Sequence, residues 1–592
     1  MSAPEVVNLV QAALQQHLGG NVAQAEQMYR QALAQEPNQA DGLHLLGVLL
    51  AQRSEFDAAV PLLKKAVAIL PNIAEFHRHL ADVYALTDRA AEALDGYRTA
   101  IRLDPRDVNA LYGAARAAAA TNQDGESANF LAAVVNLDPN NHSAWSDLGV
   151  VLTRQGNFSK AIEVLQRSLA LNPNSGHALT AMSDALRQEG RIDQALEPAR
   201  RGAESQPDNA WAQIAYGNVL QMLARFEEAA EYYKKAMVLE PNNFDAINNL
   251  ALTLLKMGRP DEAMHWWERA AEKWPEDPNM KANRSLGLLT LGELERGFAE
   301  YESRFASQAF KGSLFPEKPR WNGEDVGGKV VLLNSEQGVG DTIQFVRYVP
   351  MLAQRGARIL IVCPPEVKEL LKTIRGAERV LSRGDEEPVF DLWFPMVSFP
   401  YVFKTTLDRV PADVPYLSAD PARVARWRKR FAGESRLKVG IVWAGSPQHQ
   451  NDRARSARLE DFAPLARIEG VRLYSLQKGQ PTAALKQVPF EVTPLGDELS
   501  DFSETAAAIE ALDLTISVDT SVVHLAGALA RPVWTLLAYG PDFRWMLNRE
   551  DTPWYPTMRL LRQPKLHDWT GLMVRVEAEL RSKAAEHAEK TR

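Results

Sequence analysis

The chain has 592 residues, with 67 Lys and Arg against 75 Asp and Glu, a formal net charge of −8. That length is more than one hydrophobic core serves, so several domains or a repeat array are expected. The acidic balance argues against a nucleic-acid binder, whose footprint is usually a basic surface. A hydrophobic fraction of 46% with 24% charged residues is that of an ordinary globular protein. The single cysteine, Cys363, excludes an intrachain disulfide and a cysteine-based zinc cluster. Met1 to Val10 carries Glu5 and no Lys or Arg, so it lacks the basic start of a signal peptide. No run approaches the ~18 apolar residues of a spanning helix. A cytoplasmic protein is expected.

Residues 1–305 read as a helical repeat array. Pro37, Pro71, Pro105, Pro139, Pro173, Pro207, Pro241 and Pro275 stand 34 residues apart in seven successive intervals. Two small-residue columns keep the same phase. One runs Ala25, Ala59, Ala93, Ser127, Ala161, Ala195, Ala229 and Ala263, and the other Gly47, Ala81, Ala115, Gly149, Ser183, Gly217 and Ala251. Small side chains let two helices approach closely, and proline ends each unit because it cannot donate to the helical ladder. The period and pattern resemble the tetratricopeptide repeat (TPR) family. Eight repeats over roughly Val6 to Pro275, with a degenerate ninth capping the array, predict an α-solenoid, a TPR superhelix. Such superhelices present a concave binding surface. In-phase candidates for acceptor binding there are His44, Arg78, Tyr112, Ser146 and Thr180, with Asn218 replacing the apolar Ile214. Solvated helix positions without a ligand are the competing reading.

Residues 306–328 read as a linker rich in Gly, Pro and Trp. Short β-branched runs then alternate with helical stretches. In the first series, residues 329–410, a strand at Val330–Leu333 is followed by a helix over Thr342–Gly356 and a strand at Arg358–Cys363. After a connection at 411–436, a second series over 437–582 places strands at Lys438–Trp443, Val471–Leu476, Leu514–Val518 and Pro532–Leu537. Two βα series predict two Rossmann-like halves, with ligand bound between them at the carboxyl ends of the strands. Residues 583–592 read as a charged, Ala-rich tail, a fraying helix end.

The chemistry falls in the loops. Gly338-Val339-Gly340-Asp341 allows a tight turn and close backbone approach. It is not a dinucleotide fingerprint, because Ile343 stands where the last glycine would be needed. Asp341 suits a helix cap and a general base equally. Asp519-Thr520-Ser521, with His524 a turn later, opens a helix whose N–H groups suit phosphate; an N-cap with His524 in the core is the alternative. Gly445, Ser446 and Lys478 end neighbouring strands and converge on the same cleft. Lys478 is a candidate to neutralise a leaving phosphate. The segment from Ser446 to Arg458, with His449, Asn451, Arg453, Arg455 and Arg458, is either a solvated loop or a cover over an anionic donor. Trp545, Trp554 and Tyr555 are expected to pack in the core.

The Gly338–Asp341 loop and the segment Ser517–Ala526 resemble the heptosyltransferase-type glycosyltransferases of GT-B fold (glycosyltransferase family 9), over roughly Gly327 to Arg581. The resemblance implies Asp341 as general base on the acceptor hydroxyl. It implies donor-nucleotide contacts at Asp519, Thr520, Ser521 and His524, to which the glycine turn and the converging strand ends add Gly338, Gly340, Gly445, Ser446 and Lys478 as donor-binding candidates. It also implies an inverting reaction without a metal, and no D-x-D motif occurs in this half. A TPR array joined to such a domain is similar to bacterial flagellin glycosyltransferases. That likeness implies no resident cofactor, a nucleotide-sugar co-substrate of CMP-linked nonulosonic type, and flagellin or its chaperone as partner in the TPR groove. Two other readings stay open: a TPR scaffold with an inactive transferase half, and a heptosyltransferase-like enzyme acting on a glycan or lipid.

Overall fold

The computed structural model describes residues 3–306, 315, 317–382, 384–386, 388–447, 449 and 451–591. The chain divides into two compact units, Met1–Val219 and Leu220–Arg592.

The first unit is a run of helix pairs from Ala3–Leu18 and Val22–Gln35 to Gly176–Gln188 and Ile192–Ser205, with the division falling inside the helix Ala210–Met222. Its small-residue column sits where two helices meet: Ala25, Ala59, Ala93, Ser127, Ala161 and Ala195 are fully buried. A larger side chain there would push the pair apart. The residue two past each proline begins the next helix. Asp107, Asn141, Ser175 and Asn209 each accept a backbone N–H three residues on, at 3.0 to 3.3 Å. Proline therefore closes one helix, and a polar cap opens the next by pairing an N–H that has no intrahelical partner.

The second unit begins with the same architecture. Helices Phe226–Leu239, Phe244–Lys256, Pro260–Lys273, Pro278–Thr290 and Leu294–Tyr301 follow one another, then a short turn, Glu302–Ala306. Asn243 and Asp277 repeat the cap. An α/β region with two parallel sheets follows. The first sheet contains β1 (Val330–Asn334), β2 (Arg358–Cys363), β3 (Ala377–Ser382) and β4 (Leu392–Pro395), in the order β3-β2-β1-β4. The second contains β5 (Leu437–Val442), β6 (Val471–Ser475), β7 (Thr493–Pro494), β8 (Leu514–Val518), β9 (Val533–Leu537) and β10 (Met558–Arg562), in the order β10-β9-β8-β5-β6-β7. Both faces of these sheets are covered, which is why β8 and β9 are apolar or small throughout and wholly buried. The strand order of the second sheet reverses between β5 and β8, the switch point at which open α/β sheets bind ligands.

Three expectations change here. The helix expected over Thr342–Gly356 is broken into Val339–Phe345, a tighter turn Val346–Tyr348 and Val349–Gln354, because Pro350 cannot continue the ladder. Residues 307–314 and 316 of the expected linker lie outside the described residues. The rest of it packs: Trp321 is fully buried, its N–H donates to the Trp393 carbonyl at 3.0 Å, and the Trp393 N–H donates to Pro319 at 3.2 Å. The tail expected at 583–592 continues the helix Trp569–Thr591, with Ala584 buried.

Two polar knots hold the second unit together. Arg347, beside β1's helix, donates to the carbonyls of Trp554 (2.6 Å), Gln344 (2.7 Å) and Pro411 (3.2 Å) and to the Tyr416 hydroxyl (3.1 Å). It thereby ties the first sheet, the 411–436 connection and the second sheet. At the end of the repeats, buried Arg304 pairs with Glu302 (2.8 Å) and Glu336 (2.9 Å) and donates to Ser398 (2.8 Å). Gln337 donates to the Tyr301 hydroxyl at 2.9 Å. The loop after β1 is thus moored to the last repeat helix.

Candidate functional site

A cleft of about 920 Å3 opens at the carboxyl ends of β5, β6 and β8, facing the loop after β1. It falls within the size range of small-molecule sites. Gly338, Gly340, Asp341, Gly445, Ser446, Lys478, Asp519, Thr520, Ser521 and His524 all line it.

Each loop is shaped by local forces. Asp341 Oδ2 accepts the Gly338 N–H at 2.9 Å and so caps the helix Val339–Phe345. Its Oδ1 is held by Arg544. Gly340 is a close-approach glycine: a Cβ there would stand 3.0 Å from His524 Cδ2, so the β1 helix and the helix Ser521–Ala528 meet through it. After β8, Thr520 Oγ1 caps that second helix through the Val522 N–H (3.3 Å) and also meets Ser517 Oγ (3.1 Å). Lys478 donates to the Leu499 carbonyl. Gly445 donates its N–H to Ser456 Oγ at 3.0 Å, and a Cβ on Gly445 would collide with Arg455 and Asp452.

His524 is buried, 3.0 Å from the Tyr555 hydroxyl through Nδ1 and stacked on Trp545 at 5.3 Å. Burial and the nearby Arg544 and Arg347 hold its pKa well below the usual value, so the ring is neutral. Asp519 lies in the cleft wall, and burial and the Asp542 charge push its carboxyl above the usual carboxylate range. Trp545, Trp554 and Tyr555 are fully buried in the core.

Three contributors, Arg544, Gln477 and Asp542, carry no assignment from the sequence. Arg544 is buried and joins Asp341, Asp542 (2.7 Å) and Gln344 Oε1 (2.6 Å). Burial alone would lower its pKa, but the Asp542 and Asp341 carboxylates outweigh burial and raise it. Gln477 takes the Trp443 and Ala444 N–H groups on Oε1 (3.1 and 3.0 Å) and donates to the Ala444 carbonyl (3.0 Å). It locks the β5 loop to the β6 loop. Asp542 and Arg455 complete the wall. An arginine and an aspartate inside the aromatic run Pro541-Asp542-Phe543-Arg544-Trp545 were the available signal, since a buried charge must be paired. The 446–458 segment divides: His449 and Arg455 line the cleft, whereas Arg458 is exposed and paired with Asp461 at 3.1 Å.

The expected groove column fares differently. His44 is buried, stacked on Phe76 at 4.2 Å and 2.7 Å from His79 Nδ1. Burial and the neighbouring His79 and Arg78 hold its pKa down at about 3. Ser146 is buried against Ser168 at 2.8 Å, and Thr180 is buried as well. These three side chains face the seams between helices, not an open groove, because the 34-residue column runs through the packed face there. Arg78 pairs with Asp107 at 3.1 Å, and Asn218 is half-buried. Tyr112 donates to Asp147 at 2.6 Å, whose other oxygen meets His177 Nε2 at 3.0 Å. Asp147 and His177 thus extend a polar chain over three successive repeats.

Residues 9–73 and 125–176 match one tetratricopeptide-repeat family model, and residues 152–215 and 220–284 match another. The helical array is a TPR solenoid. TPR repeats are protein-interaction modules. Protein FlbA of Caulobacter vibrioides is 27% identical over 321 residues, 49% of this chain and 52% of FlbA. The chain thus spans about half the length of that relative. Among solved structures, the TPR protein YrrB is 25% identical over 31% of this chain and 95% of its own, with a TM-score of 0.26. PilF of Pseudomonas aeruginosa is 24% identical over 35% and 94%, with a TM-score of 0.31. The Cut9–Hcn1 assembly is 16% identical over 49% and 57%, with a TM-score of 0.37. Among the described residues no helix is long and apolar enough to cross a membrane.

Proposed function

We propose that the α/β region is a GT-B glycosyltransferase and that the chain moves a sugar from a nucleotide donor to a Ser or Thr hydroxyl of a protein held by the TPR array. One observation carries this reading: ten residues, singled out from four separate loops, line one cleft at the switch point of a parallel sheet. In the proposed reaction the acceptor oxygen attacks the anomeric carbon and its proton passes to Asp341. The bond from that carbon to the donor phosphate breaks. The Ser521 N–H group, the Thr520 hydroxyl and Lys478 receive the departing phosphate at the positive end of a helix. Lys478 leaves the Leu499 carbonyl to do so. A CMP-linked nonulosonic acid as donor, and flagellin or its chaperone as partner, follow from resemblance and belong to the same proposal.

A second reading, an inactive transferase half serving as scaffold, is favoured by one contact: Arg544 already occupies Asp341. Calorimetric titration of the full-length protein with CMP, UDP and GDP and their sugars, followed by intact-mass measurement of candidate acceptors from cells with and without the gene, separates the two. Nucleotide binding with a lost sugar increment supports transfer. Absence of any nucleotide binding removes it.

A further inference from the structure

Beside the main cleft lies a second cavity of about 210 Å3. On one side its wall is TPR helix: Leu252, Leu255 and Lys256 from Phe244–Lys256, and Leu286 from Pro278–Thr290. On the other it is the segment after β9, Leu537 to Phe543. The two walls are pressed together. A Cβ on Gly540 would overlap the Lys256 carbonyl, and one on Gly258 would stand 3.3 Å from the Tyr539 ring. His449, Arg455, Asp519 and Asp542 line both cavities and form the boundary between them.

Lys256 stands in the wall of this cavity. Among the described residues no carboxylate pairs with it and no hydrogen bond engages its ammonium; the Phe226 ring centroid lies 5.9 Å away, at the edge of cation–π range. Desolvation holds its pKa down at about 8, so it is still mostly charged at neutral pH. A desolvated ammonium among leucines is costly unless an anion meets it. The cavity is smaller than small-molecule sites usually are, which suits one side chain and not a nucleotide or a whole nucleotide sugar. The donor's phosphate has its own partners, Thr520, Ser521 and Lys478, and these line the main cleft alone. Asp519 and Asp542 stand at the boundary between the two cavities.

We propose that this side cavity is an acceptor subsite: it takes an Asp or Glu side chain of the polypeptide being modified, with the carboxylate on Lys256, so that a neighbouring hydroxyl lies in the main cleft. The inference rests on the glycosyltransferase reading for its purpose but is tested by binding alone. Short rhodamine-labelled Ser-containing peptides, identical except for Glu, Gln or Lys near the serine, are titrated into the full-length protein by fluorescence anisotropy. CMP and UDP are titrated separately. Wild type is expected to prefer the Glu peptide over the Gln peptide by about fivefold or more, as for a partly desolvated charge pair. Lys256→Arg keeps that preference, Lys256→Met abolishes it and Lys256→Glu turns it toward the Lys peptide, with nucleotide affinity unchanged in all. Circular dichroism melts confirm that each variant is folded; should Lys256→Met fail to fold, Lys256→Gln replaces it. Equal binding of the three peptides by wild type, no binding of any, or a preference that survives in the folded neutral variant overturns the proposal. A fall in nucleotide affinity with Lys256→Met also overturns it, by putting phosphate on Lys256. If no nucleotide binds wild type, the transferase reading fails while the peptide preference is still decided on its own.

Discussion

Arg544 and Asp341 stand 203 residues apart in sequence and are joined in one ion pair on the floor of the cleft. The pair fixes where the carboxylate points, and Arg544 is itself held by Asp542 and Gln344. A positioned base supplies about 10²–10⁴-fold of rate. Asp341→Asn should therefore lose turnover by that order while nucleotide affinity, read by calorimetry, stays within about twofold. Unchanged turnover would remove Asp341 from the chemistry.

Arg544→Gln should behave differently from Asp341→Asn. It leaves Asp542 and Asp341 as neighbouring, partly exposed acids without a cation, a loss smaller than the roughly 3–5 kcal/mol of a fully buried pair that loses one partner. Its melting temperature should fall well below that of Asp341→Asn, which keeps a hydrogen-bond acceptor for Arg544. Equal melting curves would show that the pair is not load-sharing with the fold.

Gln477→Leu should detach the β5 loop from the β6 loop. Two backbone N–H groups, Trp443 and Ala444, lose their acceptor, at about 1–3 kcal/mol for each buried group left unpaired. Nucleotide affinity should drop with stability. Gln477→Glu keeps the acceptor but loses the donor to the Ala444 carbonyl and buries a carboxylate there, so it should fall between wild type and Gln477→Leu. Calorimetry and thermal melts on the two variants decide it.

Two pH dependences have opposite signs. Burial raises the Glu336 carboxyl from 4.5 to about 6 despite Arg304 beside it. The folded protein therefore holds that proton more tightly than the unfolded chain, and the associated stability is lost as pH rises from 4.5 through 6. Relative to Glu336→Gln, wild type should lose about 2 kcal/mol across that window. His44 and His79 are held down at about 3 and about 4 from 6.5. Here the unfolded chain binds protons first, so stability falls as pH drops below 6.5. The wild-type melting temperature should decline faster than that of His44→Phe between pH 7 and pH 5. Parallel declines would mean that the pair is not desolvated.

The helical repeats were legible because packing repeats: a fully buried column such as Ala25, Ala59 and Ala93 tolerates only small residues. The same periodicity misled at His44, Ser146 and Thr180, since a fixed phase reports equivalent positions and not which of them face water. Strands β1, β2, β5, β6, β8 and β9 stood out as apolar runs. β3 (AERVLS) and β10 (MRLLR) did not, because their charged residues sit at edges where only part of the strand is covered. Loops rich in Gly, Asp and Ser at strand ends pointed to the cleft. Arg544 and Gln477 escaped because their partners are distant in sequence, and pairing of that kind has no local pattern.

The mooring of Glu336 and Gln337 to Arg304 and Tyr301 limits how the protein can be dissected. A truncation that starts at residue 329 to obtain the sheets alone would strand Glu336 without its cation, and one starting at residue 276 would remove Phe226, Leu252 and Lys256 from their sites. The carboxyl-terminal half is not a portable cassette. Any transplant of it onto another recognition domain must carry the closing repeats along.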